Sequence, residues 1–256
     1  MAKKESIGRT FTVIGALCLV CSIVVSGAAV LLKPTQERNK ALDVQTNIVS
    51  VAGFGRQNVA ENYEQFIDAK LLNLETGDFS DKPVVGYEQR VAAKEPDSSI
   101  KLDASEDPAS IRRRANLAPV YMAHDEDGNL DSIILPMHGQ GLWSTMYAFV
   151  AVAPDGNTIK GITYYEQGET PGLGGEVENP SWRAQFVGKK LYDENGQPAI
   201  KVVKGGAPAD APSSVDGLSG ATLTSKGVQQ TFEFWLGDKG FGPFLAKVRE
   251  GELNNG

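Results

Sequence analysis

Four runs decide the fold of this 256-residue chain: LAPVYMA at 117–123, LDSIILPM at 130–137, LWSTMYAFVAVA at 142–153 and TIKGITYY at 158–165. Each is apolar or alternating and rich in Val, Ile, Tyr and Phe, the composition of half-buried strands. Asp127-Gly128 divides the first two and Pro154-Asp155-Gly156-Asn157 the last two, and both are hairpin turn chemistry. Strands joined by such short turns pair antiparallel, so the central prediction is an antiparallel meander. Helical patterns flank it. Residues 37–52 read as a helix, and so do residues 59–74, where Tyr63, Phe66, Ile67 and Leu71 keep i, i+3, i+4, i+8 spacing until Gly77-Asp78. Asn179 and Pro180 supply an N-cap and a first-turn proline for a helix running to about residue 191. Residues 199–203 read as a short strand and 205–217 as a loop of small residues and prolines. Val228, Phe232, Trp235 and Leu236 form one stripe of an amphipathic helix that begins near Thr222 and closes at Gly237. A last turn or short helix follows at 241–249. The class is α+β, not a doubly wound nucleotide fold.

Composition removes several functions. Lys and Arg number 25 against 32 Asp and Glu, a net charge of −7, which is the wrong sign for a nucleic-acid binder. Two cysteines and two histidines support neither a disulfide scaffold nor a histidine- and cysteine-rich metal centre, so no metal ligands and no catalytic residues are assigned.

Residues 11–32 (FTVIGALCLVCSIVVSGAAVLL) contain no charge. As a helix they extend about 33 Å, enough to cross a hydrocarbon core. Residues 1–10 before them are net basic through Lys3, Lys4 and Arg9, which predicts a cytoplasmic N-terminus and an extracytoplasmic body. Ser26-Gly27-Ala28-Ala29 would suit signal cleavage, but the apolar run exceeds a usual signal core and a helical pattern continues beyond it. Leu17 before Cys18 and Val20 before Cys21 disfavour lipid attachment. Cys18 and Cys21 read as small apolar residues of the span. The expected organisation is therefore a cytoplasmic 1–10, a membrane helix 11–32, a helical, charge-rich 33–116 and a strand-rich domain at 117–256. Arg112-Arg113-Arg114 reads as a solvated helix face, with a phosphate clamp as the alternative.

Familiar chemical signatures fail. Gly172-Leu173-Gly174-Gly175 is followed by acids rather than a lysine, so it is no Walker loop. Gly217-Leu218-Ser219-Gly220-Ala221 lacks the last glycine of a nucleophile elbow. His138 stands alone, as a structural histidine does. Two segments remain. Asp216-Gly217-Leu218-Ser219-Gly220-Ala221-Thr222-Leu223-Thr224-Ser225 runs into the start of the last amphipathic helix, where free N–H groups favour an anion. By composition alone, capping by Ser219, Thr222 or Thr224 is the simpler reading. The other segment, Tyr164 to Gly175, is a glycine-rich loop with Glu169 and Thr170 in it.

Together the two segments carry a resemblance. Residues 216–225 resemble the flavinylation motif of FMN-binding domains, in which the Thr is esterified to FMN phosphate, and Glu169-Thr170-Pro171-Gly172-Leu173-Gly174 is similar to the second signature of those domains. The N-terminal span, Gly141-Leu142-Trp143-Ser144 and Trp235-Leu236-Gly237-Asp238 extend the likeness over the whole chain, to the C-subunit family of bacterial sodium-translocating NADH:quinone oxidoreductases. The G subunit of the Rnf electron-transport complex, which has a related domain, ranks second. A membrane-anchored binding module without redox function is the alternative of a different class.

The resemblance implies FMN as cofactor, held by a phosphoester to Thr222 that a flavin transferase installs from FAD with a divalent metal. Ser219, Gly220, Ala221, Thr224, Glu169, Thr170, Gly172, Leu173, Trp143 and Ser144 would form the cofactor site, with Asp216 and Ser225 completing the motif. Core burial of Trp143 is the other reading of that residue. Glu169 beside the ring would lower its reduction potential. The implied partners are the other subunits of a six-subunit sodium pump, among them membrane subunits with an iron–sulfur centre and a second covalent FMN. The chain would relay electrons within a complex that oxidises NADH, reduces ubiquinone and exports sodium across the bacterial inner membrane, with its body periplasmic. It would not be a complete enzyme alone.

Overall fold

The computed structural model describes residues 7–55, 57–208 and 210–252. Lys3, Lys4 and most of the basic segment at 1–10 lie outside them. The chain forms two compact units, Met1–Val44 and Gln45–Gly256.

The first unit consists of most of helix α1 (Ile7–Val51), a single helix with Pro34 inside it. Among the described residues it is the one helix long and apolar enough to cross a membrane, and its apolar stretch is wholly exposed. Such a surface is unstable in water and suits lipid.

Among the described residues, the second unit is built on ten strands and the remaining helices. The strands are β1 (Ile67–Asn73), β2 (Phe79–Ser80), β3 (Ser99–Lys101), β4 (Arg113–Ala115), β5 (Leu117–His124), β6 (Leu130–Gln140), β7 (Thr145–Val152), β8 (Ile159–Glu166), β9 (Lys201–Val203) and β10 (Ser214–Asp216). The helices are α2 (Val59–Phe66), α3 (Gln89–Ala92), α4 (Pro180–Ala184), α5 (Thr222–Leu236) and α6 (Gly242–Arg249). The main sheet has the order β2-β1-β5-β6-β7-β8, with every pairing antiparallel. The expected α+β class and the four-strand meander are both present.

One face of the sheet is the core. Val120, Ile133, Leu135, Ala148, Val150 and Ile162 meet Phe186, Phe232, Trp235, Phe244 and Leu245 from the helical side. On the opposite face Phe149 stacks on Tyr165 and meets Tyr121 edge to face, and the last turns of α1 close over β8, where a Cβ on Gly161 would lie 3.2 Å from Val51 O. Pairing of β6 with β5 ends at Tyr121↔Ile134, and from residue 135 onward the two strands part, β5 keeping only its pairing with β1 down to Leu117. That is why Pro136 is tolerated there, since no strand awaits its missing N–H. The free edge is satisfied otherwise: Trp235 Nε1 donates to His138 O at 2.7 Å, and Gln140 N donates to Ala109 O at 2.8 Å. Helix α5 crosses this edge closely. A Cβ on Gly227 would collide with Gln140 O, so only glycine permits the approach.

Several expectations are corrected. Residues 59–74 are not one helix: α2 ends at Phe66, and β1 pairs along its whole length with β5. The run at 142–153 becomes a strand only from Thr145, leaving residues 141–144 as a loop. The helix at Asn179-Pro180 starts as expected, with Asn179 Oδ1 accepting from Ser181 N at 2.9 Å, but its regular part stops at Ala184. The loop at 205–217 contains β10, parallel to β9. The arginine run is neither a solvated helix face nor a phosphate clamp. Arg113 Nη2 donates to Ser99 Oγ at 2.7 Å, and the buried Arg114 donates from Nη1 to Lys239 O at 2.7 Å.

Candidate flavin site

The loop at 141–144, the segment after β8 and the start of α5 meet at one end of the sheet. Glu169 joins them. Its carboxylate accepts from Trp143 N at 2.9 Å, Ser144 N at 3.1 Å, Leu142 N at 3.1 Å and Thr224 Oγ1 at 2.6 Å, and the residue is only 5 % exposed. Burial acts to raise its pKa, but the hydrogen bonds from Thr224 and the three amides outweigh burial and hold it below the usual carboxylate value. Ser144 Oγ accepts from Gly168 N at 2.7 Å, tying the loop to the chain just before Glu169. Gly174 packs into the same junction: a Cβ there would lie 2.5 Å from Thr224 Oγ1 and 2.8 Å from Glu169 Oε2.

Thr222 is the first residue of α5, and its side chain is exposed. No side chain caps this helix, and its first turn contains no acid. The capping alternative therefore fails for all three hydroxyl residues. Thr224 is committed to Glu169, Ser225 Oγ accepts from Leu218 N at 2.9 Å, and Ser219 is exposed without serving as a cap. The first-turn N–H groups have no side-chain cap and lie at the positive end of a 15-residue helix, an arrangement that favours an anion.

The remaining predicted residues gather here with different tasks. Asp216 Oδ1 accepts from Ala207 N at 2.6 Å and its carbonyl accepts from Trp182 Nε1 at 2.7 Å, so it braces the motif from within. Gly220 has φ +72°, and Leu173 lies over it. Ala221 is buried, while Thr170 O anchors the turn through Gly175 N at 2.9 Å and Gly172 occupies the left-handed region within it. Trp143 is 69 % exposed, which rules out core burial, and Leu173 is 43 % exposed.

Sequence reasoning missed Leu142, Leu223, Lys204 and Lys226. Leu142 and Leu223 add exposed apolar surface. Leu223 falls off the buried stripe of α5, a signal that was legible. Lys204 and Lys226 line a cavity of about 520 Å³ together with Ser219, Gly220 and Thr222. Exposed apolar side chains, a free helix terminus with two nearby ammonium groups and a cavity of ligand size together fit an anionic, ring-bearing cofactor such as FMN.

Those features define a flavin-binding module, and residues 141–237 match the FMN-binding domain family. The chain is 62 % identical over 256 residues to the C subunit of the Na(+)-translocating NADH-quinone reductase of Vibrio vulnificus, covering 99 % of this chain and 100 % of that one. It is 52 % identical to the corresponding C subunit of Yersinia pestis, covering 98 % and 97 %. The crystal structure of Shewanella oneidensis NqrC superposes with a TM-score of 0.77 at 39 % identity, over 81 % of this chain and 97 % of that one. This chain belongs to the family of C subunits of Na(+)-translocating NADH-quinone reductases.

Proposed function

We propose that this chain is the flavin-carrying C subunit of a sodium-translocating NADH–quinone reductase, with FMN esterified to the Thr222 hydroxyl. The observation that carries the reading is an exposed threonine at the first position of an uncapped helix, in a chain of this family. A flavin transferase forms the Thr222 Oγ–P bond as it breaks the pyrophosphate of FAD and releases AMP. The N–H groups of Thr222, Leu223 and Thr224 then hold the phosphate charge, assisted by Lys204 and Lys226. Trp143, Leu173 and Leu223 supply apolar surface for the ring, while Ser219 and Gly220 let it approach the backbone. Thr170 and Gly172 shape the turn that presents Leu173. When bound, FMN supplies reversible uptake and release of electrons, and the protein supplies position and electrostatics.

In this reading residues 11–32 anchor the body to the bacterial inner membrane, with residues 1–10 cytoplasmic and the body periplasmic. The chain passes electrons between an iron–sulfur centre in partner membrane subunits and the covalent FMN of another subunit. The assembled complex oxidises NADH, reduces ubiquinone and exports sodium.

The test is the intact mass of the full-length protein, co-produced with an active flavin transferase, beside Thr222→Leu. The expected result is a gain of one FMN less one water in the wild type and none in the variant. An unmodified wild-type mass, with the transferase active on a control substrate, overturns the reading.

A further inference from the structure

We propose that Glu169 is a positioning residue of the flavin site: its ionised carboxylate ties the 141–144 loop, the segment after β8 and the first turn of α5 into one cradle from behind, without touching the ring. The inference rests on the reading of Thr222 as the attachment point, and it revises the expectation that Glu169 acts on the flavin by its charge alone.

An ionised carboxylate offers about four lone-pair sites and no donor. Here five donors converge on them: Oε1 takes Trp143 N, Ser144 N and, more distantly at 3.5 Å, Ser144 Oγ, and Oε2 takes Leu142 N and Thr224 Oγ1. Three successive backbone amides converging on one anion form a nest, which fixes the loop's backbone. With its amides turned inward, the loop presents the Leu142 and Trp143 side chains outward, and both are exposed. The donor from the helix, Thr224, stands two residues beyond Thr222 on the same helical turn. Glu169 itself is buried, so its carboxylate faces these donors rather than the surface that carries Trp143 and Leu173. Gly174 and Gly141 make room for it: a Cβ on either would come within 2.8 Å or less of a Glu169 oxygen.

Glutamine is the discriminating substitution. It keeps the shape but replaces one acceptor oxygen with an amide that must face a backbone or hydroxyl donor. In unloaded protein carrying Thr222→Leu, adding Glu169→Gln is expected to speed amide exchange at residues 142–144 by about tenfold or more, the weight of one charge-assisted hydrogen bond. Exchange within β6 and β7 should be unchanged. Thr224→Val, which removes one donor without changing the shape, is expected to give a smaller increase at the same amides. In the full-length, flavin-loaded protein, Glu169→Gln is expected to weaken the visible circular dichroism bands of the bound flavin. If the variant does not load, the exchange measurement on unloaded protein decides.

Unchanged exchange at 142–144 overturns the proposal, as does a shift in flavin midpoint potential with both exchange and dichroism unchanged, which would mark a direct electrostatic role. A wild type that takes no flavin defeats the attachment reading instead, while the exchange data still test the tie itself.

Discussion

At position 174 one methyl group is enough to disturb the cradle. A Cβ there would lie 2.5 Å from Thr224 Oγ1 and 2.8 Å from Glu169 Oε2, and both of these atoms are held by their mutual hydrogen bond. Gly174→Ala is therefore expected to destabilise the second unit by about 1–3 kcal/mol, measured by urea unfolding. Glu169 also links stability to pH. Its pKa is depressed on folding, because the bonds from Thr224 and the 142–144 amides outweigh the effect of burial. Its contribution is complete above the ordinary value of 4.5 and is lost as pH falls through the lower folded value. Glu169→Gln should flatten that part of the acid limb, visible in urea midpoints measured across pH.

At the scale of elements, α5 does most of the positioning, because one end starts the site and the other seals the edge of β6. Trp235 is fully buried and satisfies His138 O. Trp235→Ala is expected to cost about 3–5 kcal/mol, against about 1–3 kcal/mol for Trp235→Phe, which mainly orphans the carbonyl. The His138 ring packs against Trp235 and Tyr147, at centroid separations of 5.0 and 5.3 Å. Burial, assisted by the charge of Arg90, pushes its pKa from 6.5 down to about 4. The folded chain keeps it neutral while the unfolded chain binds a proton, so stability declines as pH drops from 6.5 toward 4. His138→Phe should remove that slope, as read from thermal midpoints over the same range. Strand β1 is the element that periodicity misassigned. Ile67 and Leu71 are four residues apart, a spacing that satisfies both a helix stripe and one face of a strand, so pattern alone does not separate them. Pairing with β5 does. The arginine run was hidden for another reason. Asp107 accepts from Ile111 N at 2.9 Å and Arg112 N at 2.6 Å, holding Ser110 and Arg112 at positive φ, and the strand that follows turns Arg114 inward.

At the scale of the whole molecule, the second unit has its own contiguous core and needs nothing from the apolar stretch. A fragment beginning at Lys33 is expected to be soluble, to unfold cooperatively and to accept flavin on Thr222 like the full chain. The full-length protein should stay with membranes after an alkaline wash. Aggregation of the fragment, or release of the full chain by the wash, would contradict this division.

Sequence by itself determined the long apolar helix, the meander and the place of the proposed attachment motif. Each of these is a local property: a charge-free length, a period of two with turn residues, a contiguous string of small residues before an amphipathic helix. Tertiary structure alone decided which side chains of that motif face inward. Thr224, Ser225 and Asp216 look as available as Thr222 in one dimension, and only packing against Glu169, Leu218 and Ala207 removes them. Nor could spacing show that Glu169 gathers the amides of residues 142–144 from 25 to 27 positions away. A carboxylate's partners are chosen by the donors that folding brings within about 3 Å, and no periodicity encodes that distance.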